Sequence, residues 1–278
     1  MIRGSCLCGT VRWQNESFER MTHCHCSMCR KAHGAPFATY ATARGGFSWL
    51  AGEEAVRFRA SSARFQRGFC RHCGSVVPWG DEVIHVPAGC LDDDPGLRPE
   101  RHIFWASRAP WLEALVDGLP RHDAYPAERG LPAVEVPDAG TAEPGVLRGS
   151  CLCGEVGFEV RTPFERVHHC HCSRCRKARA AAHTTNGFTA LDGVRFTRGE
   201  QCLVTYRLPE ARYFAQVFCA TCGSGMPRLD RERGIAIIPF GSLDDDPGRG
   251  ADSHIFVASK APWYEISDDL PRFDERPG

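Results

Sequence analysis

CHCSMC, residues 24–29, places three cysteines and a histidine within six residues, and a near copy, CHCSRC, returns at 170–175. Residues two apart on an extended strand point the same way, which suits thiols sharing one ion. Pairing several such neighbours as disulfides would instead close many strained small loops. Outward from the two triplets, sixteen cysteines run along the 278 residues, and fourteen of them fall into CxC, CxCxxC and CxxC clusters. That spacing reads as metal sites. A redox CxxC is the third option, and it lacks the βαβ setting in which that motif works.

The clusters recur in a fixed order. RGSCLCGTV (3–11) matches RGSCLCGEV (148–156), and FCRHCGS (69–75) matches FCATCGS (218–224). LDDDPG (91–96) matches LDDDPG (243–248), and HIFWASRAPW (102–111) matches HIFVASKAPW (254–263). Equal order with a nearly constant offset marks a tandem duplication, and the length exceeds the roughly 100–200 residues of one domain. Residues 126–145 carry four prolines and three glycines with little periodicity, and read as a linker between domains 1–125 and 146–278.

Lys+Arg and Asp+Glu both number 34, so the formal net charge is zero and no global field draws in nucleic acid or an anionic membrane. No apolar run approaches the roughly 20 residues that span a bilayer, and MIRGSCLCGT lacks an apolar signal core. The chain is therefore expected to be soluble, unexported and cytoplasmic. A reducing compartment keeps thiolates available for zinc.

Within each copy the signal is mostly short strands. TVRW, PFATYAT, AVRFRAS, RFQRGFC, SVVPWG, EVIHVPAG and HIFWAS are β-rich runs separated by Gly, Pro and Asp turns. Helices are expected only at SMCRKAH (27–33) with SRCRKAR (173–179), capped by Ser27 and Ser173, and at PWLEAL (110–115) with its counterpart PWYEI. The fold class is mainly β: two small, chiefly antiparallel domains whose limited cores are anchored by metal.

Each repeat offers seven clustered cysteines, and seven is four plus three. A closed tetrahedral zinc uses four thiolates, whereas three protein ligands leave a position for water or substrate. Two zinc ions per domain, four per chain, follow. The triplets Cys24, Cys26, Cys29 and Cys170, Cys172, Cys175 can each hold one ion. The pairs Cys6/Cys8 and Cys70/Cys73, like Cys151/Cys153 and Cys219/Cys222, each supply half a tetrahedron and would tie the start of a domain to its middle. The other division adds His23 or His85 to the first triplet and closes it as well. Cys90 aligns with Ser242 and Cys202 has no counterpart cysteine, so both read as structural thiols.

The order CxC, CxCxxC, FCxxCGS, LDD and HIFxxSxAPW resembles the family of glutathione-dependent formaldehyde-activating enzymes and centromere protein V, over nearly all of both repeats. The resemblance implies two tandem zinc-binding β-tent domains with short helices. It implies a structural zinc on Cys6, Cys8, Cys70 and Cys73, and on Cys151, Cys153, Cys219 and Cys222. It further implies a catalytic zinc on Cys24, Cys26 and Cys29, and on Cys170, Cys172 and Cys175. The activity implied is that of a carbon–sulfur lyase joining glutathione, or a related thiol, to formaldehyde or another small aldehyde, as in S-hydroxymethylglutathione synthesis.

Three thiolates on Zn2+ leave a formal charge of −1, a poor electrophile but a good place to hold an incoming thiol as thiolate. Arg30 and Lys31, or Arg176 and Lys177, are candidates to offset that charge or receive a carboxylate; the plain alternative is a solvated helix face. His25 and His171 lie between ligands on a strand and should point away from the metal. His102 and His254 read as satisfied core histidines, LDDDPG as a turn, and Trp111 and Trp263 as packing anchors.

The other class of function is a zinc-stabilised binding or thiol-sensing module without turnover. The copies diverge beside the triplet, where RKAHGAPFATY (30–40) becomes RKARAAAHTTN (176–186). Trp79 becomes Arg228, expected near the closed site. Gly34, where the chain would approach a ligand closely, makes the first repeat the expected stronger responder to glutathione.

Overall fold

The structure, a computed structural model, describes residues 1–63, 65–126 and 143–277. The proposed linker, 126–145, lies mostly outside the described residues. Short alternating runs become strands because one side of each can be buried. In Arg12–Asn15, for example, Trp13 is fully buried while Arg12 faces solvent. The central strand Ala38–Ala43 is buried along its whole length, consistent with its small and β-branched residues.

The first half centres on a five-stranded sheet in the order Arg121–His122, Pro99–Ile103, Arg20–Cys24, Ala38–Ala43, Ile84–Pro87. A three-stranded sheet, Ile2–Ser5, Arg12–Asn15 and Phe47–Ala51, carries the first CxC at its end. Another, Val56–Ala60, Gln66–Cys70 and Val76–Val77, carries the CxxC. The second half repeats the plan: Arg228–Asp230, Ile235–Pro239, Thr184–Ala190, Arg166–Cys170 and Ser253–Ile255 form its large sheet. The class is mainly β, with two α-helices among the described residues, α1 (Ser27–His33) and α2 (Ser173–Arg179).

Several local expectations change. Pro99–Ile103 pairs with Arg20–Cys24 in parallel, setting His102 opposite His23, so the sheet is mixed. HIFWAS stops being a strand at Ile103, because Phe104 turns to φ 56° and Trp105–Ser107 forms a 3-10 turn. The helices at PWLEAL and PWYEI do not form. Trp111, Trp263, Tyr264 and Ile266 from these segments are buried against the opposite repeat, and Glu113 is held there by His169 Nε2 (2.8 Å) and the Ala251 N–H (2.7 Å).

The two repeats pack through reciprocal contacts. Trp263 and Tyr264 join the core of the first repeat, while Trp111 joins that of the second, where it meets the Phe240 ring at 5.3 Å. Both tryptophans are packing anchors, as expected, but each anchors the other repeat. Lys31 donates to Ser150 and Asp244, and Lys177 donates to Ser5 and Asp92. Gly89 lies so close to the second repeat that a Cβ would fall 2.1 Å from the Ala181 nitrogen, and Gly241 mirrors it at 2.4 Å from the Ala35 nitrogen. Gly74 and Gly223, in the CxxCG turns, have the same relation to Phe218 and Phe69.

Candidate metal centres

The expected pairs meet. The sulfurs of Cys6, Cys8, Cys70 and Cys73 lie within 4.8 Å of one another, as do those of Cys151, Cys153, Cys219 and Cys222. Cys6 Sγ is 3.4 Å from Cys8 Sγ, and Cys8 Sγ is 3.8 Å from Cys70 Sγ. A tetrahedron with Zn–S bonds of about 2.3 Å has edges of about 3.8 Å, whereas a disulfide would bring two sulfurs to about 2.05 Å. All sixteen cysteines are free thiols. The donor set therefore fits a four-thiolate metal ion. Backbone and hydroxyl groups hold the sulfurs in place: the Val11 N–H donates to Cys6 Sγ at 3.3 Å, and Ser75 Oγ lies 3.3 Å from Cys73 Sγ while accepting from the Leu7 N–H.

Each triplet also converges, Cys24, Cys26 and Cys29 in one and Cys170, Cys172 and Cys175 in the other. Cys24 ends a strand, Cys26 is extended, and Cys29 occupies the first turn of α1. Cys26, not Ser27, caps the helix, its Sγ accepting from the Cys29 N–H at 3.4 Å; Cys172 does the same for α2. A thiolate serves here where a hydroxyl usually does. Hydrogen bonds from Cys24 and Cys29 hold the Cys26 thiol well below the usual range, and the Arg67 guanidinium adds to the effect.

Among the described residues no histidine or carboxylate joins either triplet. His23 bonds Thr39 Oγ1 at 2.8 Å and stacks on His102. His25 points away from the sulfurs, its Nε2 2.8 Å from His102 Nδ1, and His102 Nε2 is 2.8 Å from Asp117. His171, His254 and Asp268 repeat that chain. In the LDDDPG turns, Asp93 and Asp245 bind Arg3 and Arg148, so their carboxylates are already engaged. Cys90 is buried outside any cluster, with its thiol pushed up by burial.

Each triplet opens on a cavity whose wall includes none of the residues of the four-cysteine groups. The first holds about 340 Å³, with Cys24, Cys26 and Cys29 in its wall beside Tyr40, Phe65 and Trp79. The second, about 570 Å³, has Cys170, Cys172 and Cys175 in its wall. Trp79 and Arg228 thus line the triplet cavities and do not belong to the four-cysteine groups, where the sequence had placed them. Lys31 and Lys177 are also corrected: they cross to the other repeat and do not serve the triplets. Gly34 is the left-handed C-cap of α1, φ 58°, and any Cβ would face Arg179, so it reflects helix termination and not ligand approach.

One site residue escaped sequence reading. Arg67, on Gln66–Cys70, is buried with its Nη2 3.5 Å from Cys29 Sγ. Burial opposes its charge, but Cys29 and its neighbours hold its pKa above the ordinary value. A charged residue next to GFC was the available signal.

A family model described as glutathione-dependent formaldehyde-activating enzyme matches residues 1–107 and 146–259. The chain belongs to that family. A Halomonas elongata protein described as "Putative glutathione-dependent formaldehyde-activating enzyme" is 30% identical over 129 residues, covering 41% of this chain and 80% of its own. A crystal structure of a Rhodobacter sphaeroides protein is 27% identical, covering 35% of this chain and 87% of its own, with a TM-score of 0.30, too low to argue from.

The repeats also meet at a titratable contact: His33 Nδ1 donates to the Arg179 carbonyl at 2.8 Å, and Nε2 accepts from Tyr40. Burial pushes His33 down to about 4. Since the unfolded imidazole titrates near 6.5, stability from neutral His33 is present above about pH 6.5 and lost as pH falls toward the folded value, by at most about 1.4 kcal/mol per pH unit. Urea midpoints measured between about pH 7 and 5 should fall more steeply for the natural chain than for His33→Gln.

Proposed function

We propose that the chain is a zinc-dependent carbon–sulfur lyase of the S-hydroxymethylglutathione synthase type, acting on glutathione or a related thiol and a small aldehyde. The observation that carries this reading is that three thiols converge at the wall of each cavity, while the four-thiol groups line neither of the two. The four-thiol groups would hold structural zinc and the triplets reactive zinc, two ions in each of the units 1–125 and 146–278. Thiolate sites of this kind belong to a reducing compartment, and we read the chain as cytoplasmic with small-molecule partners. Among the described residues, no helix is long and apolar enough to cross a membrane.

Zinc bound by three thiolates would supply a fourth position at which an incoming thiol loses its proton. The reaction joins the thiol sulfur to the aldehyde carbon, and the thiol proton ends on the aldehyde oxygen. In the first site Arg67 offsets the anionic sulfurs, and Phe65 and Trp79 give the cavity an apolar wall that limits water. His33 orients Tyr40 by accepting a hydrogen bond from its hydroxyl at Nε2.

The zinc-loaded full chain should contain four metal ions and accelerate exchange between formaldehyde, glutathione and their adduct, measured by NMR exchange spectroscopy. A Cys26→Ser/Cys172→Ser double variant should fall to the uncatalysed rate. Thiol binding at the metal without acceleration would favour the thiol-sensing alternative. Equal rates for the natural chain and the double variant would remove the triplets from the chemistry.

A further inference from the structure

The two cavities have the same sulfur constellation and different walls. The first is largely aromatic and carries three arginines, Arg20, Arg67 and Arg101, against seven in the second. In the second, Arg174, Arg179 and Arg228 stand where the first repeat has Met28, His33 and Trp79, and Arg166, Arg212 and Arg276 also line it. Glu210 is the one acidic residue in that wall among the described residues. Arg228 shares Asp230 with Arg233, so part of its charge is answered. Arg179 is different: it is 7% exposed, and its Nη1 has no hydrogen-bond partner.

Arg179 is also accommodated by its surroundings. A Cβ on Gly225 would fall 1.4 Å from Arg179 Nη1, and the corresponding residue of the first repeat is Val76. Glycine there makes room for the guanidinium. Conversely, Arg67 of the first repeat is replaced by Gln216, which cannot neutralise the triplet. The second repeat thus moves its buried cation from a strand to the end of α2, in the wall that also holds Cys175; Arg67 donates through Nη2 to Cys29 and leaves Nε unpartnered, whereas Arg179 leaves Nη1 unpartnered. Arg166 and Arg174, over the rings of Phe188 and Phe214, extend the positive wall outward.

We propose that the second cavity is the chain's preferred site for a thiol carrying two or more carboxylates or a phosphate, and that the smaller, more aromatic cavity favours such a thiol less. The inference rests on the thiol-binding reading of the triplets and adds substrate class to it. It reverses the order expected from Gly34. A ligand sulfur at the open side of Cys170, Cys172 and Cys175 places its anionic groups among donors that are already desolvated. Charge-assisted hydrogen bonds to such donors discriminate by about tenfold or more each.

The test uses the full chain loaded with cobalt, whose thiolate absorption reports a fourth sulfur ligand. Cys26→Ser leaves only the second open site intact, and Cys172→Ser only the first. Glutathione should bind the Cys26→Ser chain at least about tenfold more tightly than the Cys172→Ser chain, and 2-mercaptoethanol should bind both within about twofold. On the Cys26→Ser background, Arg179→Gln should remove the glutathione preference and spare mercaptoethanol binding. The surface change Arg174→Met should weaken glutathione in the same direction, which keeps the test valid if Arg179→Gln misfolds.

Equal ratios for charged and uncharged thiols, or tighter glutathione binding to the Cys172→Ser chain, would overturn the proposal. If neither thiol alters the metal spectrum at either site, the carbon–sulfur reading fails. The anion preference is then judged by calorimetry with S-methylglutathione, which has the carboxylates without a free thiol. Binding abolished by Arg179→Gln supports it, and absence of binding overturns it.

Discussion

Cys73→Ser and Cys222→Ser are expected to unfold the repeats that carry them, whereas Cys26→Ser and Cys172→Ser should leave near-native secondary structure. The first two remove a sulfur from groups that join a chain segment at 6–8 to 70–73, or at 151–153 to 219–222. Metal binding in small zinc domains contributes about 10–16 kcal/mol, as much as the whole stability of an ordinary domain, about 5–15 kcal/mol. The triplet variants touch sulfurs that lie between a strand end and the first turn of a short helix. Serine can still cap that helix, so the substitution removes a candidate metal ligand and preserves the N-terminal hydrogen bond. Circular dichroism with metal analysis reads both effects, and chelation should strip the triplets before the four-thiol groups. Equal unfolding by all four changes would end the division into structural and reactive sites.

Trp263→Ala should cost about 3–5 kcal/mol, and the loss should register in the first repeat, not the one that contains the residue. Trp263 is 2% exposed and packs with the first core, and Trp111, at 5%, returns the relation. Hydrogen exchange can assign the damage: amides of Arg20–Cys24 and Ala38–Ala43 should lose protection in Trp263→Ala, while those of Arg166–Cys170 should lose it in Trp111→Ala. Loss of protection confined to the mutated repeat would contradict the crossed packing. The same packing predicts that residues 1–125 alone will not be a folded monomer, since they expose Trp111 and lack the side chain that fills their own core.

The cysteine groups were legible because covalent spacing limits where sulfurs can go. CxC, CxxC and CxCxxC constrain their own geometry, and a sevenfold set per repeat divides in few ways. The histidines between the ligands were legible for the same reason, since alternation along a strand turns His25 and His171 from the sulfurs. The repeat interface was not. Nothing in the apolar character of APW says which core receives it, and a lysine following Cys-Arg reads equally well as solvent-facing, site-facing or crossing to another domain. PWLEAL has helical composition, yet tertiary contacts at Trp111, Leu112 and Glu113 override it. Arg67 and Arg228 were hidden because cavity walls are assembled from strands distant in sequence. The substitutions at 79 and 228 were visible, but their place in the fold was not.

The crossed contacts have a consequence for how such a chain comes to exist. Lys31 with Asp244 and Lys177 with Asp92, Gly89 with Ala181 and Gly241 with Ala35, and the two exchanged tryptophans obey one approximate two-fold axis. A single-repeat chain bearing this face would be complementary to its own copy, so the fused protein has the architecture of a homodimer whose protomers are joined end to end. Joining them replaces a concentration-dependent association by an intramolecular one. It also releases each half from having to match its twin everywhere: the shared face must stay reciprocal, while the paired cavities can accumulate separate sequence changes and come to serve different ligands.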